Sequence, residues 1–217
     1  LAVVGDPGSG KTTFLRWIAW VVTGDRLGET TDEAKDRLGL SEPYVPILVR
    51  IADWLEHIQE VREQKLNPRP VGKASAEWLP HFLGAGAQSA NQNLDAGWFT
   101  KKLKAGKVLV LLDGLDEAPD ERQRELALGM IRAVAKAYGD CPLVVTSRPV
   151  AYGDRSVLPG FDLRRIEPLG DEAVATFLTR WSQALFKDNT TGADKHRKDL
   201  LAALHARPNI RRLSRNT

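Results

Sequence analysis

Nine consecutive residues near the start of the chain, Gly5-Asp6-Pro7-Gly8-Ser9-Gly10-Lys11-Thr12-Thr13, carry the spacing G-x-x-x-x-G-K-[ST]. Glycines at these positions allow a loop whose backbone N–H groups turn inward onto phosphate oxygens, and a helix starting directly after it adds positive potential. Lys11 can then reach the β- and γ-phosphates of a nucleotide, and the Thr12 hydroxyl can ligate Mg²⁺. Thr13 closes the phosphate-binding stretch, with its own hydroxyl expected off the metal. A glycine-rich turn with no ligand is the alternative, and the apolar sequence on both sides of the loop argues against it.

A second group, Leu111-Leu112-Asp113-Gly114-Leu115-Asp116-Glu117, puts a carboxylate at the end of an apolar run. An ionised aspartate leaving a buried strand packs poorly, but at the carboxyl edge of a sheet it can hold Mg²⁺ directly or through water. Asp113 is therefore the second candidate metal residue. Asp116 and Glu117 can orient or activate an attacking water. Glu117 is equally well placed to cap the helix that follows. In Thr146-Ser147-Arg148-Pro149 the arginine can contact a γ-phosphate through a charge-assisted hydrogen bond, or it can be an ordinary surface arginine at a strand end.

These side chains need a scaffold that gathers strand ends, and the apolar pattern predicts one. Leu1-Ala2-Val3-Val4 reads as a buried strand, Thr12 to Thr23 as a buried helix stopped by Gly24, and Val45 to Ile51 as a second strand. A short helix is expected in the polar stretch 25–43, and another over Trp54 to Gln64. From Lys65 to about Gln92, prolines and the run Gly84-Ala85-Gly86-Ala87 break the periodicity, leaving a short helical piece over Glu77 to Leu83. Asp95 to Lys104 has a helical pattern closed by Gly106, and Lys107 to Leu112 is apolar enough for a strand covered on both faces. Asp120 to Tyr138 reads as a helix closed by Gly139, with further strands at Leu143 to Ser147 and Phe161 to Ile166. Strands alternating with helices imply a three-layer α/β fold with a mostly parallel sheet. From Asp171 only helices are expected, Asp171 to Lys187 and Asp194 to Arg207, so the domain boundary is placed near residue 169: 1–169 nucleotide-binding, 170–217 the start of an all-helical subdomain.

Residues 170–217 hold nine Lys/Arg against five Asp/Glu and the rest holds 22 against 23, so the net +3 comes from the tail. Arg207, Arg211, Arg212 and Arg215 fit the solvated side of a helix better than a nucleic-acid surface, which would gather base-reading partners as well. No apolar run approaches the roughly 18 residues of a membrane-spanning helix. A single cysteine, Cys141, excludes an internal disulfide or a cysteine-rich zinc site, and a cytoplasmic location is the expectation. His57, His81, His196 and His205 are widely spaced and have no clustered partners, which disfavours a metal enzyme. The apolar opening at Leu1 and an ending without a helix stop make the chain read as a piece of a longer one.

Taken together, the loop Gly5 to Thr13, the stretch Lys104-Ala-Gly-Lys-Val-Leu-Val-Leu-Leu-Asp-Gly-Leu-Asp-Glu117 and Thr146-Ser-Arg-Pro149 resemble the NACHT family, signal-transduction ATPases within the STAND branch of P-loop NTPases. The resemblance implies a P-loop fold that binds ATP or ADP with Mg²⁺. Lys11 and Thr12 would bind phosphate and Mg²⁺, Asp113 would support the metal, Asp116 with Glu117 would serve hydrolysis, and Arg148 would act as a sensor. It also implies an N-terminal effector and C-terminal sensor domains in the same chain, homo-oligomers on activation, and a part in defence or programmed cell death. The passage Ile166-Glu-Pro-Leu169 is similar to the family's entry into its first helical domain. The family continues an ending like Leu213-Ser-Arg-Asn216 into a proline-containing segment near the adenine, where this chain has Thr217. A GTPase would carry N-K-x-D, which is missing, and a transporter ATPase would carry an L-S-G-G-Q-like run. The alternatives are a small-molecule kinase using residues 65–92 as an acceptor pocket or lid, and an ADP-holding scaffold that never turns over.

Overall fold

The structure, a computed structural model, describes residues 1–64, 70–153, 157–207 and 209–210. Expectations that involve Pro68, Arg211, Arg212, Arg215 or the ending Leu213 to Thr217 lie outside the described residues. The chain forms two compact units, one of residues 1–4 and 11–165, the other of residues 5–10 and the chain from Ile166 onward.

The first unit is an α/β fold on a five-stranded sheet. In chain order its elements are β1 (Ala2–Val4), α1 (Lys11–Leu27), α2 (Glu33–Leu38), β2 (Val45–Arg50), α3 (Ile51–Glu63), α4 (Trp78–Ser89), α5 (Ala96–Lys104), β3 (Val108–Asp113), α6 (Glu121–Ala137), β4 (Leu143–Ser147) and β5 (Leu163–Arg165). The strands lie in the order β2-β3-β4-β1-β5, and every pair is parallel. All strand ends of one polarity therefore share one edge, the constraint any multi-strand site needs.

Both faces of the central strands are covered, as continuous apolarity implies. Val108, Val110 and Leu112 of β3 join Val49, Val145 and the buried sides of α3 to α6 in one core. Leu109 and Leu111 point to the other face and are equally buried, and there α1 packs against β2, β3 and β4 through its inward side of Leu15, Ile18, Val21 and Val22. Trp54 and Trp78 tie α3 to α4. The Trp54 indole N–H donates to the Trp78 carbonyl at 3.0 Å, and the Trp78 indole N–H donates to the Gly72 carbonyl at 3.1 Å. Cys141 is buried in this core with its thiol donating to the Leu103 carbonyl at 3.2 Å, and burial pushes the thiol pKa up.

Several local expectations are corrected. Gly24 does not stop α1. It is buried inside the helix, where a side chain would crowd the Thr30 hydroxyl, and the chain turns at Gly28, whose φ is +75°. Asp25 then fastens the turn by accepting from the Thr30 hydroxyl and from the Glu33 and Ala34 N–H groups at the start of α2, bonds that hold its carboxyl below the usual range. The small-residue run 84–87 does not break the helix either, because α4 continues to Ser89. A β-carbon on Gly84 would sit 2.5 Å from the Ala96 backbone nitrogen, so the glycine is what lets α4 and α5 approach. Helix α3 starts at Ile51 rather than Trp54, directly off β2, and α6 ends at Ala137 with Tyr138 as its cap and no left-handed glycine. His57 and His81 are not isolated: their Nε2 and Nδ1 atoms lie 2.8 Å apart between α3 and α4.

The second unit contains a helical hairpin, α7 (Asp171–Phe186) and α8 (Thr190–Ala206), in which Val174, Leu178, Ser182 and Ala193 are buried. His196 joins the two helices, with Nδ1 3.0 Å from the Ser182 hydroxyl and its ring against Trp181 and Phe186.

Gly84→Ala is expected to cost about 1–3 kcal/mol of stability by overpacking backbone on backbone. Gly86→Ala, which faces open space, should instead gain about 0.5–1 kcal/mol of helix propensity. Urea denaturation of the two variants checks both signs. A second expectation concerns acid. Burial, with His81 adding to it, lowers the His57 pKa below its ordinary 6.5, so the unfolded chain binds that proton first. Its contribution is fully present above pH 6.5 and fades as pH falls through the lower folded value. Denaturation at pH 7.5 and 5.5 should show a larger loss for the parent than for His57→Gln.

Candidate functional site

Asp113 is the last residue of an otherwise apolar strand, and only 7% of its surface is exposed. Burying a carboxylate is tolerable only when its oxygens are satisfied. Here each oxygen receives a hydroxyl from a different element. The Thr12 Oγ1 in the first turn of α1 donates to Oδ2 at 2.7 Å, and the Thr146 Oγ1 of β4 donates to Oδ1 at 2.5 Å. Register explains the second bond, since Leu112 pairs with Val145 and the next residues of the two strands, Asp113 and Thr146, fall side by side. The Thr146 hydroxyl also accepts from the Gly114 N–H at 2.9 Å, so one fully buried side chain closes a ring between the two strand ends.

Gly114 carries the turn that follows. Its φ of +78° is left-handed, and a β-carbon there would lie 2.9 Å from the Glu117 carboxyl carbon. Both facts demand glycine, and together they let Glu117 fold back over Gly114. The turn continues as a short 3-10 helix, Leu115–Glu117, which aims its two acidic residues differently. The Asp116 side chain is 8% exposed and is taken up by Arg148: Oδ1 accepts the backbone N–H at 3.0 Å and Oδ2 meets the guanidinium Nε at 2.8 Å. The Glu117 side chain is half-exposed, with Oε2 3.3 Å from Nη2 of Arg50.

The loop joining β1 to α1 has its own local logic. The Ser9 N–H donates to the Asp6 carbonyl at 3.0 Å, and Gly8 and Gly10 are left-handed, at φ +74° and +83°. A side chain on Gly5 would collide with the Ser9 hydroxyl, which is buried and has no protein partner among the described residues. Such a turn needs glycine at three places, and its orphaned hydroxyl suits a bound oxyanion. Lys11 opens α1, and Thr13 is exposed in its first turn.

The expected residues therefore fall into two linked groups in the first unit, Thr12 with Asp113 and Asp116 with Arg148. Glu117 pairs instead with Arg50, to which the sequence reading assigned no role. Arg50 ends β2 and lies opposite Asp113 in the ladder, a position readable only once the register is known. Hydrogen bonding to Glu117 raises its pKa, and the charges of Asp53, Glu117 and Asp113 add to this. Thr146 was visible as part of the Thr146 to Pro149 motif, but its hydroxyl clamp was not.

The donor set can be tested against Mg²⁺. An octahedral oxygen shell of about 2.1 Å radius has an edge of about 3 Å, and the cation keeps several waters and phosphate oxygens as ligands. Thr12 Oγ1 and Asp113 Oδ2 are joined by a hydrogen bond of 2.7 Å, the ordinary O–H···O length, and so offer two hard oxygens side by side. Among the described residues no group of three or more His, Cys, Asp or Glu is arranged to hold a metal. No helix among the described residues is long and apolar enough to cross a membrane. No protein-family model, curated protein or solved structure matches the chain.

Thr146→Val, which keeps the shape but strips the hydroxyl, leaves the Asp113 oxygen and the Gly114 N–H unpaired and should destabilise by about 2–3 kcal/mol. Thr146→Ser should retain most of the stability. Guanidinium unfolding midpoints of the two variants decide it.

Proposed function

We propose that the chain is a P-loop, Mg²⁺-dependent nucleoside-triphosphatase of the NACHT kind, working as a switch more than as a high-turnover enzyme. The observation that carries this reading is the pair Thr12 and Asp113, 101 residues apart in sequence, whose side chains meet in a 2.7 Å hydrogen bond that sets two hard oxygens side by side. In this reading Gly5 to Thr13 cradle the phosphates, Lys11 neutralises the β- and γ-oxygens, and Thr12 and Asp113 hold the Mg²⁺. That cation would neutralise charge on the phosphates during transfer.

Of the two acidic residues, Glu117 is the better acceptor for the attacking water's proton, since its carboxylate is half-exposed. Asp116 has both oxygens engaged by Arg148, which supports a structural part for it: holding the arginine at the strand edge. An arginine so held can feel whether a γ-phosphate is present and favour one state of the protein, which is what a nucleotide switch requires. The proposal extends to ATP as the activating ligand, ADP as the resting one, and assembly of several copies through effector and sensor domains of the same chain. A cytoplasmic setting belongs to the same proposal.

Denaturing the purified protein and identifying released nucleotide by ion-exchange chromatography tests the reading. The parent should release near-stoichiometric ADP and Lys11→Ala none. Glu117→Gln should keep nucleotide affinity within about threefold while hydrolysis falls roughly 100-fold, the scale of a lost proton acceptor. Equal ATP binding by parent and Lys11→Ala would sink the assignment of the loop.

A further inference from the structure

We propose that Arg50 is a positioning residue for hydrolysis, fixing the Glu117 carboxylate from the end of the neighbouring strand; the inference rests on the nucleotide-hydrolysis reading above. Three observations carry it. Arg50 is the ladder partner of Asp113, so its backbone is tied to the strand that holds the candidate metal aspartate. Its guanidinium is gripped at two points: Nη1 lies 3.3 Å from Asp53 Oδ1 in the first turn of α3, and Nη2 lies 3.3 Å from Glu117 Oε2. Glu117 itself sits on a three-residue 3-10 turn and leans over Gly114, where no side chain blocks it.

The consequence is directional. A half-exposed glutamate on a short turn samples several rotamers, and a general base must stand within hydrogen-bond reach of the water it deprotonates. The planar fork of an arginine removes that freedom better than a point charge does, because one guanidinium binds two carboxylates along fixed directions. Only Oε2 is used, so Oε1 keeps no hydrogen-bond partner among the described residues and can face a water. Asp53 completes the arrangement by keeping the fork from swinging with Glu117. Exposed pairs of this kind add little to stability, so removing the guanidinium should leave the fold unaffected.

The test uses the full chain with Mg-ATP for turnover and a fluorescent ADP analogue for affinity. Arg50→Gln should lower kcat roughly ten- to a hundredfold, the scale of a misplaced catalytic group, with KM and analogue affinity within about threefold of the parent. Arg50→Lys should recover part of the loss, and Asp53→Asn should show a smaller loss of the same kind. In a Glu117→Gln background Arg50→Gln should have no further effect, the non-additivity expected of residues acting through one group. A parent that hydrolyses ATP while Arg50→Gln matches it, or an Arg50→Gln loss that persists in full without Glu117, overturns the positioning role alone. A parent that binds no nucleotide, or binds and never turns over, overturns the reading of function and this inference with it. An unchanged denaturation midpoint identifies variants that are folded, and Asp53→Asn carries the test if Arg50→Gln is not.

Discussion

A buried carboxyl group at the end of an apolar strand constrains everything around it in this structure. Strand β3 is all hydrocarbon until Asp113, and a carboxylate in that position must be satisfied by neighbours or be expelled. Two threonine hydroxyls, one from the helix on one face and one from the adjacent strand, solve the problem and fix the sheet register while doing so. Slipping β4 by one residue would turn Thr146 away and leave both Asp113 and the Gly114 N–H unpaired. The apolar packing thus tolerates many arrangements that the polar edge does not, and the edge selects among them.

The same edge sorts its charges by burial. Asp113 is deep and paired with neutral hydroxyls, Asp116 is nearly buried and paired with an arginine that is half outside, and Glu117 is open to water. Within five residues the chain passes from a carboxylate held rigidly to one that can exchange partners. That gradient follows from geometry: a strand end, a left-handed glycine and one tight turn lift each successive acidic group further from the sheet.

Much of this was legible in the sequence because it is local. The strand over 143–147, the Asp95 and Asp120 helix starts and the Gly106 stop rest on periodicity and on caps whose partners lie within a few residues. The candidate residues at 113, 116, 117 and 148 were also legible, because charges at the end of apolar runs are conspicuous. Pairing was not. Arg50 looks like an unremarkable strand residue until the ladder puts it opposite Asp113, and the two histidines look isolated until α3 and α4 pack. Gly24 and the run from Gly84 misled for one reason: glycine marks either a turn or a close approach, and only the neighbour decides which.

Cys141 lies under the turn after α6 with its sulfur bonded to a backbone carbonyl and its thiol kept protonated by burial. A protonated, enclosed sulfur is a poor nucleophile, and these 217 residues hold no second thiol for it to join. The sulfur is therefore shielded from thiol reagents while the fold is intact. Any thiol placed on its surface would be the only one a labelling reagent meets, which makes the edge of the sheet open to site-specific spectroscopic probes without removing a native residue first.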